Sequence, residues 1–257
     1  MNRFLRAGIL LVFTVIVFKT AMWLQTTHSA EYYFSKGHEM DSLGNYEEAV
    51  RWYSKAIENE PGAGVYYLYR GNSYNFMGDY RKAIGDYTIA IQLDNSTVAW
   101  YNRGMALYSF GKPEGAIDDF SMAITIDSTN TRAWYSRGYV KGDLNDLTGA
   151  ENDFTKAIEL GKKEYKVYYN RAMIRHKLYK YEESIDDFKT ALLFKPGDAD
   201  IYYSMSAAEF KLGMTEQACK DLKKAEELGH RKARQIRMKF CVECGIKDFR
   251  NSSKQSE

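Results

Sequence analysis

The amino-acid sequence predicts an all-α protein made of about six similar helix pairs. Its 257 residues include only 3 Pro but 21 Tyr, 13 Phe and 4 Trp, a balance that favours long helices over a turn-rich β-sandwich. Small and aromatic residues also recur every 33 or 34 residues. The length is sufficient to bury a sizeable core. Charged residues at 27% and hydrophobic residues at 45% exclude a disordered chain and a polytopic membrane protein.

Residues 1–29 are predicted to be a signal peptide or an uncleaved signal anchor. Arg3 and Arg6 precede an apolar run from Ala7 to Phe18, which fits a signal peptide and is shorter than the roughly 20 residues that a membrane span needs. As an anchor, residues 4–24 would contact the membrane, with Lys19 reaching its interface. The positive-inside rule then places the remaining chain outside the cytoplasm, either exported (periplasmic, luminal or secreted) or membrane-anchored. The alternative is an N-terminal helix of a soluble protein.

The net charge of +2 hides three regions of different sign. Residues 1–30 have a net charge of +3, residues 31–230 of −6, and residues 231–257 of +5. The near-neutral total gives no sign of nucleic-acid binding, so no nucleic-acid partner is expected. The polar tail over residues 251–257 is predicted to be disordered.

Four columns of residues define the repeat. The first helices have a small residue at Gly37, Gly71, Gly104, Gly138, Ala172 and Ser206. Twelve residues later, a second small residue stands at Ala49, Ala83, Ala116, Ala150, Ser184 and Ala218. A large apolar residue follows at Tyr53, Tyr87, Phe120, Phe154, Phe188 and Leu222, and then an alanine at Ala56, Ala90, Ala123, Ala157, Ala191 and Ala225. Small residues let two helices approach closely, and the large residue fills the remaining gap.

A turn is predicted seven residues after the first small residue of each pair. Glycine holds this position in four pairs, at Gly44, Gly78, Gly111 and Gly213. Glycine readily adopts the left-handed conformation that ends a helix. The fourth and fifth pairs depart from this pattern, with Asn145 and Tyr179 at the same position.

These columns resemble the tetratricopeptide repeat, whose motif combines W-x2-L-G-x2-Y with a later A-x3-F. The third pair matches well, with Trp100 and Gly104 in the first helix and Ala116 and Phe120 in the second. The resemblance covers six units, at residues 30–63, 64–96, 97–130, 131–164, 165–198 and 199–230. It implies a right-handed α-solenoid whose first helices line a concave groove. It also implies a protein-interaction scaffold rather than an enzyme.

Residues 231–250 are predicted to form a basic capping helix followed by a Cys-x-x-Cys segment. Ala233, Ile236 and Phe240 mark one apolar face of this helix. A final helix is expected because an open solenoid end would expose core residues to water.

The resemblance also predicts where a protein or peptide partner binds. The position after the packing aromatic is expected to face the groove, and four units have a tyrosine there, at Tyr101, Tyr135, Tyr169 and Tyr203. Tyrosine offers a large contact area and a hydroxyl group at little entropic cost. Asn102 and Asn170 come next, and their amides can bind a peptide backbone. The alternative is that these tyrosines pack between neighbouring repeats.

An arginine column in the first helices is expected to be structural. We expect Arg70, Arg103, Arg137 and Arg171 to connect adjacent helices through acids such as Asp86, Asp118 and Asp186. Acid pairs such as Asp118-Asp119, Asp186-Asp187 and Glu47-Glu48 lie at matching repeat positions on the second helices, which predicts a solvated face rather than acid–base chemistry.

Some cochaperones of this family bind the C-terminal carboxylate of a chaperone through bases and asparagines in three successive units. Asn72, Asn102 and Arg132 match that pattern, but Leu68 and Ser136 stand where bases are required. Losing two charges removes most of the electrostatic attraction, which argues against such a clamp. The three matching residues remain candidates for the groove.

The remaining motifs predict neither catalysis, a metal nor a cofactor. Cys241 and Cys244 form a single Cys-x-x-Cys, whereas a zinc site needs four ligands and only His230 is near in sequence. In an exported protein this pair is expected to form a local disulfide, while Cys219 packs within the last repeat. Two alternative functions stay open: assembly of an envelope complex through the convex face or basic cap, and redox or metal chemistry at the cysteines. The sequence does not predict an oligomeric state.

Overall fold

The structure is a computed structural model that describes residues 28–241, and within this range it contains thirteen α-helices and no strand. The described residues form two compact units that divide between Phe110 and Gly111. The first unit contains α1 (Ala30–Ser42), α2 (Tyr46–Asn59), α3 (Gly64–Phe76), α4 (Tyr80–Asp94) and α5 (Thr97–Ser109). The second contains α6 (Pro113–Ile126), α7 (Thr131–Asp143), α8 (Leu147–Glu159), α9 (Tyr165–Lys177), α10 (Tyr181–Phe194), α11 (Ala199–Lys211), α12 (Thr215–Glu227) and α13 (Ala233–Phe240). The predicted all-α repeat fold is confirmed.

Several sequence predictions fall outside the described range. These are residues 1–27 of the targeting segment predicted over residues 1–29, the membrane contact through residues 4–24, Cys244, and the tail over 251–257. Within residues 28–241, no helix is both long enough and apolar enough to cross a membrane.

Polar residues at the helix starts define where many of the helices begin. The side chains of Ser29, Asn45, Asp79 and Asn130 each accept a hydrogen bond from a backbone N–H in the first turn of the helix that follows. Such caps satisfy donors that have no partner within the helix. Each helix then packs mainly against its neighbours in sequence, with the closest packing within the pairs α1–α2, α3–α4, α7–α8, α9–α10 and α11–α12.

Within each unit, the core lies between the paired helices, where the repeat columns meet. The large residues Tyr53, Tyr87, Phe154, Phe188 and Leu222 are all buried, as are the small residues around them. At Gly37, an added Cβ would lie only 2.5 Å from the Tyr53 ring, and at Gly71 only 2.8 Å from the Tyr87 ring. The small residues are therefore required by the ring of the partner helix.

The turns between paired helices use the left-handed backbone region. Gly44, Gly78, Gly111 and Gly213 have φ between 73° and 79°. Asn145 and Tyr179 adopt the same conformation, with φ of 66° and 63°. The turn geometry is thus kept in the pairs that lack glycine, although a tyrosine pays a steric cost there because its Cβ approaches the following carbonyl.

The arginine column is structural, but two of its predicted partners were wrong. Arg70 forms two hydrogen bonds of 2.8 Å with Asp86, as predicted. Arg171 instead binds Asp187, at 2.7 and 2.8 Å, while its neighbour Asp186 is 78% exposed. Asp118 is likewise exposed, whereas Asp119 is buried.

The reason is a helical offset of one residue between adjacent acids. An acid sixteen residues after its arginine faces the first helix of its own pair, as Asp153 does for Arg137 and Asp187 for Arg171. The acid that precedes Asp187 faces solvent instead. The predicted fully solvated face is therefore wrong for Asp119 and Asp187, which are buried.

The helix α13 packs against α12 and is joined to it by a disulfide. Cys219 of α12 bonds Cys241, which follows α13, so the predicted local pair of Cys241 with Cys244 is wrong. The turn at His230 reverses the chain and returns it to α12, a pairing that cysteine spacing alone does not reveal. Ala233 and Ile236 contact the same apolar cluster, which includes Leu222.

We expect Gly71→Ala to lower the free energy of unfolding by about 1–2 kcal/mol, because the new methyl group meets the buried Tyr87 ring. Gly85 is the matched control, since it lies inside α4 with open space around it. Gly85→Ala should raise stability by up to about 1 kcal/mol through helix propensity. Urea unfolding of both variants measures the difference, and equal effects would contradict the packing assignment.

Tyr179→Gly should stabilise the protein by about 1 kcal/mol, because glycine adopts φ of 63° without steric cost. The Tyr179 side chain is 79% exposed, so little packing is lost. Tyr179→Ala is the control, since it removes the ring and keeps the steric cost. A thermal melt in which Ala stabilises as much as Gly would rule out backbone strain as the cause.

Candidate functional site

A pocket lined largely by tyrosine lies in the second unit and has a volume of about 380 Å³. We call it the tyrosine pocket. Its lining residues are Tyr135, Tyr139, Tyr165, Lys166, Tyr169, Asn170, Lys195, Asp198 and Asp200. They come from α7, α9, the start of α11 and the turn before α11.

Helical spacing explains why four tyrosines converge here. Tyr135 and Tyr139 are four residues apart on α7, and Tyr165 and Tyr169 have the same spacing on α9. Residues four apart lie on one face of a helix. Each helix therefore presents two rings on one face, and Asn170 stands beside the last of them.

The inner wall of the pocket is fixed by contacts with buried residues. The Tyr135 ring lies 5.7 Å from the Phe154 ring, and Tyr169 lies 5.8 Å from Phe188. The Asn170 amide donates a 2.9 Å hydrogen bond to the Tyr135 hydroxyl. This bond orients the amide, so that its carbonyl oxygen and second N–H can serve a ligand.

Tyr135 of the pocket is neutral at physiological pH. Burial raises the pKa of Tyr135 to about 12, and the nearby Tyr139 adds to this effect. A neutral phenol both donates and accepts a hydrogen bond. The pocket therefore offers a hydroxyl group that can donate or accept a hydrogen bond, next to an apolar ring.

The charges around the pocket are mostly balanced. Lys195 Nζ lies 4.8 Å from the Tyr165 ring centre and 2.8 Å from the Asp198 carboxylate. Burial opposes ionisation of Asp198, but hydrogen bonds from Lys195 and the backbone of Ile201 outweigh it and lower the pKa. Asp198 is thus an ionised cap of α11, and Lys166 adds an exposed positive charge at the rim.

A smaller pocket of about 120 Å³ adjoins the first one. It shares Tyr139 and Asn170 with the tyrosine pocket and adds Met173, Ile174 and Lys177 from the next turn of α9. Together the two pockets extend along α7 and α9 over more than one helical turn.

The structure brings together three of the eight predicted groove residues, Tyr135, Tyr169 and Asn170. Tyr203 does not line the pocket and stacks on His230, with 4.0 Å between ring centres. The remaining members are outside the pocket lining: Tyr101 is half-buried on α5, and Arg132 is exposed at the start of α7.

Asn72 and Asn102 form a separate network in the first unit. The Tyr87 hydroxyl and the Asn102 amide each donate a 2.9 Å hydrogen bond to the Asn72 side-chain oxygen. These bonds tie α3 to α4 and α5. Asn72 therefore has a structural contact, whatever else it binds.

Sequence reasoning missed Tyr139, Tyr165, Lys166, the two residues of the α10–α11 turn, and Asp200 in the first turn of α11. A signal existed for three of them, because Tyr139 follows Tyr135 by four residues, while Tyr165 and Lys166 precede Tyr169 and Asn170 by four. Lys195 and Asp198 lie outside the first helices and had no such signal. Within residues 28–241, no three His, Cys, Asp or Glu side chains converge to form a metal site.

Comparison with solved structures agrees with the helical arrangement. YrrB superposes with a TM-score of 0.66 at 22% identity, over 72% of this chain and 97% of its own. PilF of Pseudomonas aeruginosa gives 0.68 at 17% identity, over 82% and 97% of the two chains. The C-terminal part of a TPR repeat-containing protein from Cytophaga hutchinsonii gives 0.72 at 18%, over 83% and 90%. At these identities the likeness concerns the fold alone.

Family models extend the agreement to the sequence. No curated protein matches the chain in sequence. One tetratricopeptide repeat model matches residues 97–130, and another matches residues 30–62, 131–163 and 165–198. These matches cover more than half of the chain and coincide with helix pairs that the structure contains. The protein therefore belongs to the tetratricopeptide repeat family.

Proposed function

We propose that the protein is a non-enzymatic scaffold that binds an extended segment of a protein partner in the tyrosine pocket, outside the cytoplasm. The observation that carries this proposal is the convergence of four tyrosines and Asn170 in one pocket of about 380 Å³. A repeat protein of this kind offers an extended surface rather than a single deep cavity.

The chemistry of the pocket suits a peptide better than a small apolar ligand. Tyrosine rings supply contact area, while the hydroxyl groups and the Asn170 amide pair with backbone N–H and C=O groups. The adjoining pocket beside Met173 and Ile174 extends the same surface by one helical turn, which fits a ligand with successive side chains. YrrB, which shares the fold, is described as a TPR protein with an unusual peptide-binding site.

Two features support a location outside the cytoplasm. Arg3 and Arg6 precede an apolar run, as in secretory signals. The disulfide between Cys219 and Cys241 would persist in an oxidising compartment and is rare in the cytosol.

The double substitution Tyr139→Ala and Tyr169→Ala should reduce partner capture at least about tenfold, because aromatic anchors at an interface often contribute 2 kcal/mol or more. The full chain is treated in cells with a lysine-reactive crosslinker, and crosslinked peptides are identified by mass spectrometry. We expect partner peptides to attach to Lys166 and Lys195 at the pocket, and these crosslinks should disappear in the variant.

Tyr179→Ala is the matched control, because it removes an exposed tyrosine that lies outside the pocket. It should leave the crosslinks unchanged, and circular dichroism should show that both variants stay folded. Crosslinks that survive the double substitution would contradict the pocket assignment. If they then fall with added salt and map to the basic residues around α13, they would favour the assembly role.

The proposed location is tested by trapping thiols in cells. Free thiols are blocked by N-ethylmaleimide in acid-quenched cells, and the protein is then reduced and treated with polyethylene-glycol maleimide. We expect two cysteines to gain the polymer in the wild type and none in Cys219→Ser, which removes the partner of Cys241. A wild-type protein that gains no polymer would show reduced cysteines and contradict the proposed location.

A further inference from the structure

A buried aspartate recurs at the same position in the second to sixth pairs, and in the fourth and fifth pairs two cations neutralise it. Asp187 receives Arg171 at 2.7 Å and Arg175 at 2.9 Å. Asp153 has the corresponding partners Arg137 at 2.7 Å and Lys141 at 2.9 Å. Two cations, one helical turn apart on the first helix, therefore flank one buried carboxylate.

In the last pair the aspartate remains, but both cations are replaced. Asp221 stands 34 residues after Asp187, while Met205 and Glu209 stand at the positions of Arg171 and Arg175. Met205 is buried in the apolar cluster that contains Phe188. A second carboxyl group thus lies where a guanidinium binds the aspartate one repeat earlier.

The surroundings of Glu209 are apolar where those of Arg175 are charged. Arg175 shares Glu151 with Lys180, at 3.0 and 2.7 Å. The residues 34 positions after Glu151 and Lys180 are Ile185 and Met214. The last pair therefore lacks the entire ion network of the pair before it.

Both carboxyl groups are buried and incompletely hydrogen-bonded. Glu209 is 1% exposed and Asp221 is 6% exposed. Glu209 Oε2 and Asp221 Oδ2 have no hydrogen-bond partner. The other Asp221 oxygen accepts a 3.4 Å bond from Gln217. Two adjacent carboxylates in such a site repel each other, whereas a shared proton converts the repulsion into a hydrogen bond.

The neighbouring helices offer little compensating charge. The positive charge of Lys189 on α10 works to lower the pKa of both carboxyl groups. However, its side chain is 61% exposed and its amine lies 3.9 Å from Asp186. Arg234 and Arg237 of α13 instead face Glu226.

The remaining titratable groups near this pair face other residues. His176 of α9 interacts with the backbone at Ala207 and with the charge of Lys211. His230 lies 3.5 Å from Asp200.

We propose that Glu209 and Asp221 form a proton-binding site that holds one proton at neutral pH and makes the last helix pair sensitive to alkali. The proton lies between the two carboxyl groups and joins α11 to α12. Its loss leaves two buried like charges, which loosens the packing of this pair.

The direction of the pH dependence follows from burial. Burial, followed by the charge of Asp221, raises the pKa of Glu209 from 4.5 to about 8, and burial also raises the pKa of Asp221. Between pH 4.5 and about pH 8, Glu209 therefore keeps its proton in the folded chain and has released it in the unfolded chain. The stabilisation is therefore complete below pH 4.5, decreases as the pH rises, and is lost above about pH 8.

Carboxyl-carbon NMR of the full-length protein, labelled at glutamate with ¹³C, tests the site directly. We expect one glutamate signal to titrate near pH 8 and to vanish in Glu209→Gln. Glu216→Gln is the matched control, because Glu216 is an exposed residue of α12 paired with Lys220. It should remove a signal that titrates in acid. If the Glu209 signal titrates with those of the exposed glutamates, the proposal is wrong.

Urea unfolding from pH 6 to pH 9 tests the consequence for stability. The midpoint of the wild type should fall over this range, and Glu209→Gln should abolish most of the fall, because glutamine keeps a donor for Asp221 without a charge. In the fifth pair, Arg171 also donates a 3.1 Å hydrogen bond to Thr155, whose counterpart 34 residues later is Lys189. Met205→Arg combined with Lys189→Thr therefore gives Asp221 a cation equivalent to Arg171 and should also abolish most of the fall. A fall that persists in both variants would overturn the proposal.

Discussion

The close approach of the paired helices within each unit is the constraint on which the rest of the structure depends. It requires a small residue opposite a buried ring, as at Gly37 against Tyr53 and Gly71 against Tyr87. Once the helices are this close, a long side chain on one helix can reach a short polar side chain on the other. The arginine column uses this proximity, since Arg137 reaches Asp153 of its partner helix and Ser121 of the preceding pair. Apolar contact thus sets the separation, and ion pairs then fix the rotation of each helix about its axis.

Much of the fold could be predicted from the sequence because the same local pattern is repeated six times. A single glycine or tyrosine carries little information, but the same residue type at a constant interval identifies both the helix and its buried face. Features that depend on one position were predicted less well. Asp118 was predicted as the arginine partner in place of Asp119. Neighbouring residues on a helix point about 100° apart, and a repeat of two adjacent acids does not indicate which of them faces the arginine. The disulfide was missed because cysteine spacing does not determine connectivity.

The candidate site illustrates a second limit of sequence reasoning. Tyr135, Tyr169 and Asn170 occupy equivalent positions in successive repeats, so that their common surface could be anticipated. Tyr203 occupies the same column, yet it stacks on His230 because the last repeat adjoins α13 rather than another tetratricopeptide pair. Lys195 and Asp198 join the pocket from a turn whose direction depends on tertiary packing. Position in the repeat therefore predicts orientation, while the neighbour on either side decides whether a residue remains available to a ligand.

The link between Cys219 and Cys241 has a mechanical consequence. Repeat arrays are held together by contacts between neighbours only, so they tend to fray from their ends. Here the covalent bond closes a loop that contains α13. A force applied to the chain beyond Cys241 passes directly into α12 and bypasses the short helix. The terminal element is thus shielded from load, and tension at this end would be resisted by the packing of α11 against α12.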